Sequence, residues 1–499
     1  MERLRADVAI VGAGIAGLTA ALKLAPLQVL VLTKTALGTG AATQWAQGGI
    51  AAALGSDDSP ALHSADTQAS GAGLSDRKIV EILAQDAPAR IEDLLALGAR
   101  FDRTARGELD LGQEGAHRRR RIVHAGGDAT GREILETLIG AARNQEHIRI
   151  IEDAHAQDLT VEGDRVGGLF FAVDGRLLHV EAASTILATG GVGHIFARTT
   201  NPVQACGDGL AMAARARALL GDLEFVQFHP TAIDVGADPM PLATEALRGE
   251  GATLIDERGN RFIDELAPRD VVARALYSRL QGNEPTLLDA RGIGSRFPME
   301  FPTTFTACMQ QGIDPRTRPI PVAPAAHYHM GGIAVDQWGR SSLHGMWACG
   351  EVSATGVHGA NRLGSNSLLE ALVYGTRVAT DILNLARAKA GRDSKYSARR
   401  AASDERGPIA ELRAVMYDKV GIVRSAVGLE QALEVLDRLS AAHPQRGTKF
   451  ENMLTVSGLI ARAALRRNES RGSHYRSDYP DRNDEQFAKR SFSTLGDVA

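Results

Sequence analysis

The sequence predicts an α/β fold: a Rossmann-like, doubly wound dinucleotide-binding domain that is interrupted by a long insertion and followed by helices. Three observations support this prediction. A glycine loop, Gly12 to Gly17, lies between a short apolar run and a helical pattern. Two further apolar runs that end in glycine, 184–191 and 345–350, lie far apart in the chain. Leucines then recur at helical spacing over 429–439, and 453–465 is also a candidate helix.

The N-terminal segment has the clearest pattern. Residues 7–11 form a β-branched run that predicts a buried strand, and the GAGIAG loop follows directly. Leucine and alanine then recur on one helical face until Pro26 ends the helix. Residues 28–32 form a second apolar strand. This order is the opening of a dinucleotide-binding fold, in which the glycines admit a pyrophosphate and the helix N-terminus faces its charge.

The end of the second strand departs from the pattern of NAD-binding domains. An acidic residue usually holds the ribose hydroxyls there, but Thr33 and Lys34 occupy the position. This departure argues against NAD as the ligand. The following loop, 42–50, combines small residues with paired glycines, so its backbone N–H groups could face a flat heterocycle. A plain surface turn is the alternative.

Patterning also divides the rest of the chain. The insertion, residues 223–328, has its own turns and prolines and is predicted to form a separate capping domain. The dinucleotide-binding domain then comprises residues 1–222 and 329–396. A stretch rich in Arg, Lys, Ala and Ser at 387–406 indicates a linker or an exposed helix. Residues 397–499 are predicted to form a small helical domain.

Composition excludes several classes of function. Lys and Arg number 56 and Asp and Glu 60, for a net charge of −4, which argues against bulk nucleic-acid or polybasic membrane binding. The cysteines, Cys206, Cys308 and Cys349, are too scattered for a zinc or iron–sulfur site, so we expect no metal. No apolar stretch has the length of a membrane helix. We therefore expect a soluble, cytoplasmic protein that binds neither nucleic acid nor membrane.

Four consecutive arginines, Arg118 to Arg121, form a local cluster of positive charge. Nucleic-acid binding is disfavoured because aromatic residues are not interleaved with them. We interpret the run as a solvated loop, of which some members lend positive potential to a nearby pocket.

Ten motifs occur along nearly the whole chain in the order found in one flavoprotein family. The chain therefore resembles the family that contains the flavoprotein subunits of succinate dehydrogenase and fumarate reductase, and L-aspartate oxidase. The resemblance implies FAD as cofactor, an α+β capping domain and a C-terminal helical bundle. The motifs are GAGIAG, AQGGIAA, ATGG, GDGLAMA, FHPT, TEALRGEGA, LAPRDVVAR, HYHMGGI, GEVSATGVHGANRLGSNSLLE and ESRGSHYRSDYP.

Two positions resemble the L-aspartate oxidases within this family. Respiratory members attach FAD covalently through a histidine before the AQGG loop, where this chain has Ala42, so the resemblance implies noncovalent FAD. The segment EGAHRRRRIVH, 114–124, is similar to the aspartate oxidase pattern EGxHxxRRIxH, and the respiratory enzymes lack a carboxylate at the position of Glu114. Aspartate carries an ammonium group that needs a charge partner when buried. Glu114 would supply that partner; a solvated loop carboxylate is the alternative.

The resemblance further implies a dicarboxylate site. Arginine suits carboxylates because it forms two parallel charge-assisted hydrogen bonds. Arg362 and His327 would bind one carboxylate. His229, Thr244 and Arg248 would bind the other or hold the capping domain around it.

Arg269 corresponds to the proton-transferring residue of the fumarate reductases. Because the pKa of arginine lies above about 12, proton transfer would require a relay of neighbouring acids, either Glu245 or Asp270. The implied activity is oxidation of L-aspartate to iminoaspartate, with dioxygen or fumarate as electron acceptor. This reaction begins de novo NAD biosynthesis through quinolinate, with quinolinate synthase as the metabolic partner. A soluble fumarate reductase and a non-catalytic FAD-binding subunit are the alternatives.

The FAD contacts implied by the resemblance come from several distant parts of the chain. Glu351 ends a strand, where a carboxylate commonly accepts from a ribityl hydroxyl. Asp208 could equally be a simple helix N-cap. The full set is Gly12, Ala13, Gly14, Ile15, Ala16, Gly17, Lys34, Ala42, Thr43, Gln44, Trp45, Ala46, Gln47, Gly48, Gly49, Asp208, Glu351, Ser367 and Leu368.

Overall fold

A computed structural model describes residues 2–386, 408–444 and 447–497. The predicted linker or exposed helix at 387–406 lies outside these ranges. No helix among the described residues is both long and apolar enough to cross a lipid bilayer.

The described residues form two large sheets, two small sheets and the helices that cover them. The strands are β1 (Glu2–Val11), β2 (Val29–Leu32), β3 (Ile50–Ala51), β4 (Leu111–Gly112), β5 (Ile122–Val123), β6 (Ile148–Ile151), β7 (His155–Glu162), β8 (Arg165–Val173), β9 (Arg176–Leu187), β10 (Leu220–Gly221), β11 (Val226–Ile233), β12 (Thr253–Ile255), β13 (Leu287–Asp289), β14 (Ile320–His329), β15 (Gly332–Ala334), β16 (Met346–Ala348), β17 (Ser353–Ala354) and β18 (Phe492–Ser493). The α-helices are α1 (Ile15–Lys23), α2 (Ala42–Trp45), α3 (Pro60–Ser70), α4 (Arg77–Ala96), α5 (Thr130–Arg143), α6 (Asp208–Arg215), α7 (Ala246–Gly249), α8 (Arg269–Gln281), α9 (Phe297–Glu300), α10 (Pro302–Gln310), α11 (Asn366–Ala386), α12 (Ile409–Val420), α13 (Ala426–Ala442), α14 (Lys449–Arg466) and α15 (Asp484–Phe487).

The largest sheet has the strand order β6-β2-β1-β9-β8-β7, and β16 also pairs with β9. Strands β1, β2, β6, β9 and β16 run parallel, as a dinucleotide-binding fold requires. The first half of β9 pairs antiparallel with β8, and its last residues pair with β16. Because β16 follows the long insertion in sequence, one sheet unites distant parts of the chain. This arrangement confirms the predicted interrupted α/β domain.

Two apolar layers bury the parallel strands. Successive side chains of a strand point to opposite faces, and both faces of β1 are covered near its end: Val8 and Ile10 on one face and Ala9 on the other are fully buried. Helices α1 and α11 pack together over one face, and Leu18 and Leu369 belong to the same apolar cluster as Val8 and Ile10. The C-terminal end of β1 therefore reaches the glycine loop at a fixed position in the core.

The insertion forms an antiparallel sheet with the order β11-β14-β13-β12, covered by short helices. Its core contains Leu247 from α7, Leu276 from α8 and Phe297 from α9. This α+β unit is the capping domain. Strands β11 and β14 are neighbours, and each carries one of the two histidines assigned to the substrate, His229 and His327.

The C-terminal part begins with three packed helices, α12, α13 and α14. The predicted helices at 429–439 and 453–465 lie within α13 and α14, so both predictions are confirmed. Beyond Arg466 the chain is mostly irregular, and β18 joins a small sheet by pairing with β10. Buried ion pairs hold this last segment, including Arg467 with Glu224 at 2.6 Å and Arg471 with Glu469 at 2.7 Å. Apolar periodicity does not detect a segment held by charge pairs.

A loop of the dinucleotide-binding domain holds the N-terminus of the capping helix α10. The Asp128 carboxylate accepts from the backbone N–H groups of Thr303 and Thr304 at 2.7 and 2.9 Å. The Thr304 hydroxyl also donates to it, at 2.8 Å. Helix N-termini leave their first N–H groups unpaired. Here a side chain from another domain satisfies them, so Asp128 joins the two domains.

Replacing Asp128 by alanine is expected to speed hydrogen exchange in the first turn of α10 about tenfold, because a lost N-cap costs about 0.5–2 kcal/mol. Exchange of peptides covering 302–310, followed by mass spectrometry, checks this prediction. Asp57→Ala is the matched control, because the Asp57 side chain is 74% exposed. Equal hydrogen-exchange rates for these peptides in Asp128→Ala and the wild type would contradict the role of Asp128 in connecting the two domains.

Candidate active site

A cavity of about 890 Å³ runs between the FAD-binding domain, the capping domain and the start of α14. Its size is within the usual range of ligand pockets, roughly 300–1,000 Å³. All but one of the predicted FAD residues line it, the exception being Gly17. The predicted substrate and catalytic residues also line it, except Arg248. The structure therefore brings nearly all of the assigned residues to one site.

The glycine loop approaches neighbouring backbone too closely for side chains. Gly12 has φ +110°, and a Cβ there would lie 2.2 Å from the carbonyl oxygen of Ala188. A Cβ on Gly17 would lie 2.0 Å from the carbonyl oxygen of Gly12, which explains why Gly17 packs behind the loop rather than lining the cavity. Gly14, at the N-cap position of α1, has no side chain to cap the helix, and the Ile15 N–H donates to the Thr43 hydroxyl at 3.3 Å. The other N–H groups at this helix N-terminus are suited to a pyrophosphate.

Replacing Gly12 by alanine is expected to weaken FAD binding at least about tenfold, because the backbone must move to relieve the contact and a strained φ costs about 1–3 kcal/mol. The ratio of visible flavin absorbance to protein after purification measures the loss. Gly140→Ala is the control, since a Cβ at that position meets nothing within 4 Å. A Gly12→Ala protein with full FAD content would overturn this explanation of the loop.

The segment 42–49 is buried at its glycine end. A Cβ on Gly49 would lie 2.2 Å from the carbonyl oxygen of Val123. The Gln47 amide nitrogen donates to the carbonyl of Leu242 in the capping domain at 2.8 Å. The alternative of a plain surface turn is therefore wrong. Only part of the segment faces outward, with Trp45 43% exposed.

Lys34 and Asp208, which both line the cavity, form an ion pair of 2.7 Å. The amide of Asn452, from α14, donates to the same carboxylate at 2.9 Å. Asp208 is the first residue of α6, and Gly207 occupies the N-cap position. The alternative of a simple N-cap is therefore wrong. Sequence reasoning missed Asn452, because no local pattern connects the start of a C-terminal helix to the end of β2.

Glu351 is half-buried and lines the cavity. Its carboxylate accepts from the backbone N–H of His329 at 2.9 Å, and burial raises its pKa to about 7. A Cβ on Gly191 would lie 2.1 Å from this carboxylate, so a side chain at the second glycine of ATGG would displace Glu351 from its present position.

Three buried polar atoms along the wall have no hydrogen-bond partner: Gln47 Oε1, Thr189 Oγ1 and Asn201 Oδ1. Buried polar groups are normally satisfied, so these atoms are available to a polar ligand. Together with the N-terminus of α1, they fit a bound FAD.

The predicted substrate residues surround two arginines, Arg269 and Arg362. Both guanidinium groups donate to one oxygen, Gln227 Oε1, at 3.0 and 3.2 Å respectively. Arg362 also donates to the Ser367 hydroxyl at 3.0 Å and lies over the Tyr328 ring, 4.7 Å from its centre. Burial and the neighbouring Arg269 lower the pKa of Arg362 to about 10. Arg362 therefore remains a cation at neutral pH.

A carboxylate connects Arg269 to a second buried arginine. Glu245 Oε2 accepts from Arg269 Nε at 2.6 Å, and Glu245 Oε1 lies 3.3 Å from Arg248 Nη2. Arg248 also donates to the carbonyl of Glu265. Asp270 instead binds Arg274 at 2.9 Å. Of the two acids considered for the relay, Glu245 is the one bonded to Arg269.

The histidine His229 is buried and His327 is half-buried beside it, with ring centres 5.0 Å apart. Burial and nearby arginines lower the pKa of both rings well below the ordinary value, so both are neutral. The backbone N–H of Thr231 donates to His229 Nδ1 at 3.3 Å. The proton of neutral His229 is therefore on Nε2, which makes this nitrogen a donor to a carboxylate. Thr244 is also buried at the cavity wall.

Glu114 is buried on the same cavity wall, and the Ser365 hydroxyl donates to its Oε2 at 2.9 Å. The alternative of a solvated loop carboxylate is therefore wrong. Burial and the neighbouring Glu245 raise the pKa of Glu114. A Cβ on Gly364 would lie 2.4 Å from Glu114 Oε2 and 3.2 Å from Arg269 Nη2. The carboxylate and the guanidinium thus flank one backbone position.

The arginine run divides into two groups, and none of its members lines the cavity. Arg118 to Arg120 are exposed. Arg121 is fully buried and contacts Asp58 and Asp66, each at 2.8 Å. The interpretation of the whole run as a solvated loop is wrong for Arg121, because two distant acids anchor it inside the protein.

Comparison with known proteins agrees with this geometry. A family model for an FAD binding domain matches residues 7–368, and one for the fumarate reductase flavoprotein C-terminus matches residues 409–498. An L-aspartate oxidase from Mesorhizobium japonicum is 48% identical, over 95% of this chain and 92% of its own. Another, from Caulobacter vibrioides, is 48% identical over 94% and 93%.

A solved structure of E. coli quinol fumarate reductase has a TM-score of 0.89 and 28% identity, covering 99% of this chain and 95% of that one. Its similarity extends over the FAD-binding, capping and helical parts described above. The chain belongs to the FAD-binding flavoprotein family of fumarate reductases, succinate dehydrogenases and L-aspartate oxidases, and within it to the L-aspartate oxidases.

Proposed function

We propose that this protein oxidises L-aspartate to iminoaspartate with FAD as its noncovalent cofactor. Its relatives named L-aspartate oxidase support the proposal. The observation that carries it is the position of Glu114, a buried carboxylate beside a pair of buried arginines. Aspartate differs from succinate by an α-ammonium group, and a buried cation requires an acidic partner. Glu114 is placed to be that partner.

The two substrate carboxylates would be bound by two neighbouring groups of residues that line the cavity. Arg362 and His327 would bind one of them, while His229 and Thr244 bind the other. Neutral histidines are suitable because they donate hydrogen bonds without adding charge. Arg248 lies behind Glu245 rather than on the cavity, so we propose that it acts on the substrate through Glu245.

FAD, when bound, accepts two electrons from the substrate. The N-terminus of α1, the segment 42–49 and Glu351 would hold it, because they line the cavity. The protein aligns the substrate α-carbon and excludes water. Arg269 would move a proton to or from the substrate carbon, with Glu245 as the next member of the relay.

The electron acceptor would be dioxygen, giving peroxide, or fumarate, giving succinate. The product, iminoaspartate, would be consumed by quinolinate synthase in the cytoplasm as part of NAD biosynthesis. We also propose the domain boundaries that the sequence predicts: residues 1–222 with 329–396 for FAD binding, 223–328 for the cap and 397–499 for the C-terminal domain.

Protonation of Glu114 is expected to control the acid side of the pH profile. Because burial and Glu245 raise its pKa above the ordinary value of about 4.3, kcat/KM for L-aspartate should fall as pH falls through this raised pKa. Above that pKa, Glu114 is ionised and can pair with the ammonium. Initial rates at limiting L-aspartate, from acidic to neutral pH, measure the profile. An unchanged acid limb in Glu114→Gln would refute this assignment.

Peroxide formation tests the activity. Purified protein in air should release peroxide with L-aspartate and none with succinate. Peroxide or dye reduction with succinate, at a rate equal to that with L-aspartate, would instead favour a soluble fumarate reductase. Turnover of neither acid by FAD-loaded protein would favour the non-catalytic subunit.

A further inference from the structure

Gln227 is fully buried behind the arginine pair and does not line the cavity. It lies on β11 of the capping domain. The arginines it contacts come from different domains, since Arg269 begins the capping helix α8 and Arg362 follows β17 in the FAD-binding domain. Gln227 therefore connects the two domains at the point where the charged groups meet.

Every hydrogen-bonding position of the Gln227 amide is used. Its oxygen accepts from Arg269 Nη1 at 3.0 Å and from Arg362 Nε at 3.2 Å. Its nitrogen donates to Asn361 Oδ1 and to the carbonyl of Arg362, both at 2.8 Å. Because guanidinium groups only donate, the amide oxygen must face them. The orientation of this side chain is thus fixed by its neighbours.

The shared acceptor between the two arginine cations is an uncharged amide oxygen. Arg269 and Arg362 repel each other, and this repulsion contributes to the lowered pKa of Arg362. A shared amide oxygen holds both groups without cancelling a positive charge. A carboxylate would hold them as firmly, but Glu245 already pairs with Arg269, so a further carboxylate would also neutralise the charge of Arg362 that attracts a dicarboxylate.

We propose that Gln227 is a positioning residue that sets the spacing of Arg269 and Arg362 and preserves their combined charge for the substrate carboxylates. This inference rests on the proposed function, in which the arginine pair serves a C4 dicarboxylate. It predicts that changing the spacing of the two arginines and reducing their combined charge have different effects on kcat and KM.

Two substitutions separate these effects. Gln227→Glu keeps the shape and the shared acceptor, so kcat should change less than about threefold while KM for L-aspartate rises at least about tenfold. Gln227→Met removes the acceptor, so kcat should fall and KM should rise, each at least about tenfold.

Gln337→Glu is the matched control for an added charge, because Gln337 does not line the cavity and contacts neither arginine. It should match the wild type.

FAD content and succinate binding complete the test. Succinate affinity, followed by the change in the flavin spectrum, should fall in both Gln227 variants while FAD content stays near that of the wild type. Wild-type KM and succinate affinity in Gln227→Glu would overturn the proposal. Loss of FAD from both variants would also overturn it, because it would indicate a general packing role. If the wild type binds succinate but does not oxidise L-aspartate, the proposed function fails, while succinate affinity in the variants still tests Gln227.

Discussion

Replacing Arg269 by alanine is expected to lower the rate of fumarate reduction about 10³-fold or more, near the upper range for loss of a general acid. Arg269 lines the cavity and is bonded to Glu245 at 2.6 Å, so it can pass on a proton received from inside the protein. Arg269 combines a position on the cavity wall with a direct bond to Glu245. Arg248, by contrast, lies 3.3 Å from Glu245 but does not line the cavity. Succinate formation from fumarate, with a reduced dye under anaerobic conditions, measures the rate.

Arg274→Ala is the control for the Arg269 variant. Arg274 lies on the same helix, pairs with Asp270 at 2.9 Å and does not line the cavity, so its loss should leave the rate within a few-fold of the wild type. FAD content must be measured for both variants. Near-normal fumarate reduction by FAD-loaded Arg269→Ala would disprove the proton-transfer assignment.

Replacing Glu114 by glutamine is expected to raise KM for L-aspartate about 100-fold, because breaking a buried ion pair costs about 3–5 kcal/mol and part of this cost falls on binding. Succinate lacks the ammonium group, so its affinity should stay the same or increase. The change therefore converts a site selective for aspartate into one that prefers plain dicarboxylates. Steady-state kinetics and succinate titration of the flavin spectrum provide both values.

Glu108→Gln is the matched control for Glu114. It makes the same chemical change on an exposed residue of the same segment, and it should leave both constants unaltered. Equal losses of aspartate and succinate affinity in Glu114→Gln would contradict a specific role with the ammonium. That result would instead indicate that Glu114 supports the arginine pair.

The grouping of the predicted FAD residues around one cavity could be predicted because most of them belong to short patterns whose structural reason is local. Gly12 requires a positive φ, and its strand, loop and helix are consecutive in sequence. The motifs that contain Glu351 and Arg362 are recognisable although β16 joins the sheet only after the whole insertion. The α/β class and the capping insertion follow from the same patterns.

Burial of the charged residues could not be predicted in the same way. Glu114 and Arg121 lie in one polar segment, and their neighbours in sequence give no reason to place them inside. Each is buried because distant residues satisfy it, Ser365 for Glu114 and Asp58 with Asp66 for Arg121. A charge is stable in the interior only with such partners.

Gln227 was missed for a related reason. Glutamine in an apolar strand has no distinctive spacing, and its meaning depends on two arginines supplied by other elements. The structure adds this connection, and it also shows that Arg248 lies behind Glu245 rather than at the cavity.

The flavin spectrum under anaerobic conditions tests the central claim most directly. Adding L-aspartate to the FAD-loaded protein should bleach the visible flavin band, and adding succinate should shift the band without bleaching it. Bleaching by L-aspartate would establish the cofactor, the substrate and the direction of electron transfer in one measurement. A flavin band that L-aspartate leaves unchanged would contradict the proposed function.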